Sequence, residues 1–300
     1  MTGLRANRLV RTVLEPCIAF LGVMIGATLL MNAPVNWEQW RPATCMPGAC
    51  FCEAIQSGTV RQVANTWSSF AFVWVGFWVV SVMRLDRSVF HDVSRGANRM
   101  QGAPAGEAIA IGPKLNAMTE RAVYPLLFAL ALFVVGVGSA FYHASLTFAG
   151  QLADVFGMYL IGTFVLVYNV GRWRPMSNGA AVALYVALNI VLAVALYSLP
   201  ELRRYAFAAV ITAALLVEYR VRRHGLMNAD TRYLIAAVAA LSIAFVVWAL
   251  DLRRVMCSAA SVWQGHAIWH VLGAVACACV YLFYRSESGG HRATGPVSGL

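Results

Sequence analysis

The chain has 300 residues, of which 60% are hydrophobic and only 12% charged, with mean hydropathy +0.66 and net charge +10. A water-soluble domain carries about twice that charged fraction, so a soluble enzyme or binding module is excluded. The basic residues lie in short clusters between apolar runs rather than in one patch, which excludes nucleic acid as a partner and suits loops that fix membrane topology.

Apolar runs close to the ~20 residues that cross a bilayer as a helix recur along the chain. They lack the period-2 alternation of a membrane barrel. Met1 to Arg11 carries Arg5, Arg8 and Arg11 and precedes the apolar run Cys17–Met31. No small-x-small cleavage site follows Leu30, so this run is read as a retained anchor helix rather than a signal peptide. A loop with Pro34, Pro42 and Pro47 follows and ends in CFCEAIQSG, Cys50 to Gly58. Its Pro and Gly punctuation excludes a regular element. The next span is Val63–Met83. Arg84 to Glu120 is the longest polar stretch, shows no clear helical face, and is read as a flexible loop. Further spans fall near Ala122–His143, Leu152–Val170, Ala180–Leu199, Tyr205–Val221, Tyr233–Leu250 and Val262–Tyr284. The tail after Arg285 is Ser/Gly-rich and is expected to be disordered. No internal repeat is visible. The fold class is all-α: a polytopic membrane bundle of seven core helices (52–285) with one extra N-terminal helix and a Cys/Pro loop (1–51), and a free tail (286–300).

With the N-terminus inside, the inner segments hold 17 of the 23 basic residues. The other six, Arg41, Arg61, Arg203, Arg204, Arg253 and Arg254, fall in outer loops. This asymmetry supports eight spans with both termini cytoplasmic.

Ionisable groups within a span are costly and therefore functional candidates. Ser139 and His143 lie in the last turns of an outward-running helix, in GSAFYH. Asp154 lies about one turn into the returning helix, and His266 and His270 lie in the first turns of the last helix, in GHAIWH. All five fall at similar depth in the outer leaflet. The pairs Ser139/His143 and His266/His270 are spaced i, i+4 and each shares a helix face. Three histidines plus one open position form the usual arrangement of a catalytic zinc. The other histidines, His91, His224 and His291, fall in cytoplasmic loops or the tail. In this reading Asp154 is the general base and Ser139 a hydrogen-bond donor to the water or the developing oxyanion. The same residues also admit a Ser/His/Asp acyl-enzyme triad, or a purely structural hydrogen-bonding network. Asp251 ends a span beside Arg253 and Arg254 and is read as an arginine partner or a cap. Glu120, Glu201 and Glu218 sit at span ends and are read as interfacial, and most tryptophans as belt or core residues.

At these residues the chain resembles the alkaline ceramidase family, within the superfamily that includes adiponectin-type receptors. The resemblance is carried by GSAFYH (Gly138–His143), Asp154, WALD (Trp248–Asp251), Cys257, and GHAIWH (Gly265–His270). Cys52-Glu53 and Asn65-Thr66-Trp67-Ser68 match the entry to the first core helix, so the resemblance runs from about Cys52 to Arg285. It implies a seven-helix bundle whose zinc is held by His143, His266 and His270, with Ser139 and Asp154 assisting hydrolysis of a lipid amide. The products would be a fatty acid and a sphingoid-type amine. It also implies a disulfide between Cys52 and Cys257, whereas Cys45 with Cys50 is a pairing suggested only by their shared outer loop. Eukaryotic members carry an acidic calcium cluster. Here Glu53 is kept, but Cys50, Phe51, Ile55 and Gln62 stand at the other positions, which puts calcium in question. Cys17, Cys277 and Cys279 lie in apolar spans as packing residues. The expected function is a zinc-dependent amidase acting on ceramide or another N-acyl membrane lipid. Hydrolysis of another lipid ester or amide, and receptor-like signalling, are the alternatives. A transporter is disfavoured, because the spans lack paired Gly/Pro-broken helices in related halves.

Overall fold

The computed structural model describes residues 10–46, 48, 50–99, 116–255 and 257–289, without the side chains of 10, 11, 90–99 and 289. A π-helical turn, Val10–Leu14, leads into α1 (Glu15–Met31). The helices that follow are α2 (Val63–Arg99), the single turn α3 (Ala117–Glu120), α4 (Val123–Ser145), α5 (Phe148–Trp173), α6 (Asn178–Ser198), α7 (Arg203–Arg223), α8 (Thr231–Leu252) and α9 (Gly265–Arg285). Seven of these helices, α1, α2, α4, α5, α6, α8 and α9, are long and apolar enough to cross a membrane. The remaining long helix, α7, is uncharged from Tyr205 to Val217 but carries Arg203, Arg204, Glu218, Arg220, Arg222 and Arg223 at its ends. The protein is a multi-pass membrane protein.

The helices pack as a chain of neighbours: α8 on α9, α9 on α2, α2 on α4, α4 on α5, and α5 on α7. α6 lies outside on α5, and α1 lies on α2. α7 and α8 make little direct contact, so the ring has one open seam. Close approach of α4 and α5 depends on absent side chains. A Cβ on Gly138 would lie 2.7 Å from the Ala153 carbonyl oxygen, and one on Gly157 would lie 2.7 Å from the Val135 Cα. Small residues are how membrane helices approach where no hydrophobic effect drives them together. Between these helices the chain reverses through Leu146 in the left-handed region (φ 49°), and Thr147 Oγ1 caps α5 by accepting from Gly150 N at 3.1 Å.

Two expectations need correction. Arg84–Arg99 continues α2 instead of forming a loop; residues 100–115 of the expected loop lie outside the described residues. No Gly or Pro interrupts the stretch between Gly76 and Gly96. Its inward face does continue, through Val82 and Asp86, but the charge on Asp86 hides it from a hydropathy reading. Asp86 is buried because Arg285 binds both its oxygens, at 2.6 and 2.7 Å. Likewise the chain stays ordered beyond Arg285. Ser288–Gly289 (β2) pairs antiparallel with Met227–Asn228 (β1), and Asn116 Nδ2 donates to the carbonyls of Arg285 and Glu287. The expected free tail from 290 onward lies outside the described residues, as does the Arg5/Arg8 segment.

Glu218 is also buried rather than interfacial. Arg172, on α5, pairs with Glu218 and, at 2.6 Å, with Glu287, while Arg222 binds the second oxygen of Glu218 at 2.8 Å. Burial lifts the Glu287 carboxyl to about 7, with Arg172 opposing the rise and Glu218 adding to it. One guanidinium thus holds two buried carboxylates from different parts of the chain. Removing one member of a buried ion pair typically costs about 3–5 kcal/mol, because the other charge is stranded. Arg172→Ala is therefore expected to lower unfolding stability in mixed micelles by about that amount, while Arg223→Ala on the exposed face of α7 changes it little. A loss below about 1 kcal/mol for Arg172→Ala would show that the cluster does not hold this end together.

Candidate metal and hydrolytic site

The site lies at the end of the bundle opposite the Arg172 cluster, where the 32–62 loop folds over the helix ends. This loop is tied down by backbone hydrogen bonds: Ala43 N to Leu146 O at 3.0 Å, Phe148 N to Arg41 O at 2.8 Å, and Gln62 N to His143 O at 3.1 Å. Two disulfides fix it further, Cys45–Cys50 within the loop and Cys52–Cys257 to the segment between α8 and α9. Asp251, at the end of α8, accepts from Cys52 N at 3.1 Å and His266 N at 3.2 Å. It therefore caps the first turn of α9 and anchors the loop, and it pairs with neither neighbouring arginine. Gly265 leaves room for it, since a Cβ there would lie 2.9 Å from the Asp251 Cβ. Glu53 accepts from Ala64 N at 2.6 Å and Asn65 N at 2.9 Å, so its carboxylate is spent on the free N–H groups of the α2 N-terminus. Burial raises its pKa, while the backbone hydrogen bonds from Asn65, Ala64 and Val63 lower it.

His143 on α4 and His266 and His270 on α9 converge: their ligand nitrogens lie within 4.8 Å of one another and all three rings are buried. Their second nitrogens reveal the protonation pattern. Gln62 Nε2 donates to the Glu53 carbonyl, so its Oε1 faces His143 Nδ1 at 2.8 Å and accepts the proton there. Ser68 donates to the Asn65 carbonyl at 3.0 Å, so its Oγ accepts from His270 Nδ1 at 2.8 Å. Both rings then carry Nδ1–H and turn an Nε2 lone pair inward. His266 Nε2 lies 3.1 Å from His143 Nε2, and His266 Nδ1 is buried without a partner among the described residues. Inward lone pairs crowded around one point repel unless a cation occupies it. Three imidazole donors without a thiolate suit a divalent transition metal. The residues present therefore fit a metal, with Gln62 and Ser68 orienting two of its ligands. Phe51 stacks on His266 at 3.7 Å between ring centroids and lies 5.2 Å from His143, covering the triad from the loop side.

Ser139, 1% exposed, places its Oγ 3.2 Å from His270 Nε2 and 3.1 Å from Ser69 Oγ. It also interacts with the Asp154 carboxylate across the close α4–α5 contact. The three histidines converge, Ser139 lies against them, and Asp154 lies on the far side of Ser139. In an acyl-enzyme triad a carboxylate would hold the histidine; here His270 Nδ1 is held by Ser68, and Asp154 interacts with the serine. The triad geometry is absent.

The sequence reading missed Gln62, Ser68 and Asp251 as parts of this site. Gln62, Asn65 and Ser68/Ser69 recur at helical spacing along the first turns of a membrane helix, and that polar stripe was the available signal.

Fold and site together define a polytopic membrane protein with a buried three-histidine cluster that could hold a metal ion, beside a Ser–Asp pair. The chain belongs to the ceramidase family, whose profile matches residues 49–288. It is 28% identical over 267 residues to a protein described as an alkaline ceramidase in Dictyostelium discoideum, covering 82% of this chain and 83% of that one. It is 28% identical to an alkaline ceramidase of Caenorhabditis briggsae (56% of this chain, 66% of that protein). Human alkaline ceramidase 1 is 26% identical (51% and 60%). α1 lies outside the matched residues.

Proposed function

We propose that the protein is a zinc-dependent hydrolase of the amide bond of ceramide or a related N-acyl lipid. The observation that carries this reading is the convergence of three histidine nitrogens within 4.8 Å, beside a serine–aspartate pair in a chain of the ceramidase family. His143, His266 and His270 would hold the metal. When bound, zinc supplies Lewis acidity toward the amide carbonyl and lowers the pKa of water. The Asp154 carboxylate takes a proton from the attacking water and delivers it to the leaving nitrogen, so that amide and water become fatty acid and amine. Ser139 donates a hydrogen bond where negative charge develops on the carbonyl oxygen. Gln62 and Ser68 hold the rings, and Phe51 shields the far side of the triad from bulk water.

The charge asymmetry supports an orientation with this site toward the outer face and both termini cytoplasmic. The lipid reaches it sideways through the seam between α7 and α8. Glu53 is engaged as a helix cap, and Gln62 as a partner of His143, so neither is offered to a calcium ion. Purified protein is expected to contain about one zinc per chain and to release fatty acid from ceramide in neutral micelles. A chelator should abolish release and added zinc restore it. Undiminished hydrolysis by protein shown to be metal-free would overturn the proposal.

A further inference from the structure

Arg203 and Arg204 open α7, on the site end of the bundle, and no acidic residue lies in the first turn of that helix. Two cations at a helix N-terminus oppose the helix dipole. They also stand among the few basic residues on the side that the charge asymmetry assigns to the outside. The Arg203 side chain is only 15% exposed, yet its recorded partners are the Pro200 carbonyl at 2.7 Å and Glu201 at 3.9 Å, and Glu201 is itself 80% exposed. Arg204 reaches across the open seam and places its guanidinium 5.3 Å above the ring of Trp248 on α8. That ring continues into an aromatic wall with Phe245 and Trp269. Both arginines also lie within electrostatic range of groups near the site. Arg203 interacts electrostatically with Asp154, Tyr142 and Tyr159, and Arg204 with Tyr142. The Tyr159 hydroxyl donates to the Arg203 carbonyl at 3.2 Å, which fixes this turn against α5. Arg203 is largely buried, and its one ion pair is the long contact to the exposed Glu201; together with Arg204 at a lateral entrance beside the candidate general base, it is arranged for an anion that arrives with the substrate.

We infer that Arg203 and Arg204 form an anion subsite, which takes an acidic oxygen group carried by the amine half of the N-acyl lipid close to the scissile amide. The inference rests on the hydrolase reading and narrows it. The preferred substrates are N-acyl lipids with a phosphate or carboxylate near the amide nitrogen, ahead of the neutral lipid of equal chain length.

The test compares kcat/KM for an N-acylsphingosine 1-phosphate and the matching N-acylsphingosine, each in neutral-detergent micelles with zinc-loaded enzyme. The wild type is expected to favour the phosphorylated lipid by about 10- to 100-fold, the size of one or two charge-assisted hydrogen bonds. Arg203→Gln/Arg204→Gln should bring the ratio to about one, chiefly through KM. Arg253→Gln/Arg254→Gln, two exposed arginines at the end of α8, should keep the wild-type ratio, which separates a local subsite from attraction of charged micelles. A wild-type ratio of one or below, an unchanged ratio in the Arg203/Arg204 variant, or loss of the ratio in both variants would each overturn the subsite. The other source of the same chemistry is the released fatty acid. A raised inhibition constant for fatty acid with an unchanged substrate ratio would place the product carboxylate there and overturn the headgroup assignment. If the zinc-loaded wild type hydrolyses neither lipid, the hydrolase reading fails, and calorimetric titration with short-chain versions of the two lipids decides the subsite by itself. Tighter binding of the phosphorylated lipid that disappears in the Arg203/Arg204 variant supports it, and equal binding of both lipids overturns it.

Discussion

His270→Ala is expected to yield protein that folds, lacks stoichiometric zinc, and hydrolyses lipid amide at least roughly 10³-fold more slowly than the wild type. The expectation follows from donor arithmetic. Three nitrogens hold the site, and with two left no third protein ligand replaces the missing one. Lewis-acid stabilisation is worth several kcal/mol, and each 1.36 kcal/mol is about tenfold in rate. The same truncation also empties the pocket between Ser68 and Ser139, so metal content and monodispersity must be measured together with rate. A Ser68→Ala variant supplies the graded control. It keeps all three ligands and removes the nearer acceptor of His270 Nδ1, leaving Ser69 Oγ at 3.4 Å. Loss of such a partner typically weakens metal binding about 10- to 100-fold, so this variant should recover activity at high zinc while His270→Ala does not. Near-wild-type hydrolysis by zinc-free His270→Ala would return the histidines to a structural network.

The contrast between these variants bears on what a sequence can reveal. Helices were legible because an apolar run long enough to cross a bilayer has few other ways to satisfy its backbone. The five candidate residues could be singled out because i, i+4 spacing and charge-biased loops constrain face and depth without any knowledge of packing. Partner choice was not legible. Glu218 and Arg172 are 46 residues apart, and each in isolation reads as an ordinary charge at a span end. Only their pairing makes burial tolerable, and pairing is a property of the fold. Asp86 with Arg285 is the same case, and it hid sixteen residues of helix beyond Met83, from Arg84 to Arg99. Glu53 shows the converse. Its position suggested a metal ligand by resemblance, yet both its oxygens accept from the N–H groups of Ala64 and Asn65, so a helix end accounts for it.

Asp154→Asn is the second large effect, and it separates positioning from proton transfer. The asparagine side chain has nearly the same shape and keeps a carbonyl oxygen that can accept from Ser139. It cannot take a proton from water. General acid–base catalysis is worth about 10²- to 10⁴-fold, and Asp154 is asked to act twice, first as base and then as acid toward the leaving nitrogen. The variant is therefore expected to retain zinc, since Asp154 is not one of the three converging ligands, and to lose at least roughly 10³-fold in kcat with KM little changed. Ser139→Ala should lose less, about 10²- to 10³-fold, as expected for one oxyanion donor. The order of these two losses distinguishes the mechanisms. If Ser139→Ala were the more damaging, and wild-type enzyme trapped in turnover carried an acyl group on Ser139, the serine would be the nucleophile. If Asp154→Asn stayed within about tenfold of wild type, the proton would travel by another group, and the Ser139–Asp154 contact would serve to hold α4 against α5.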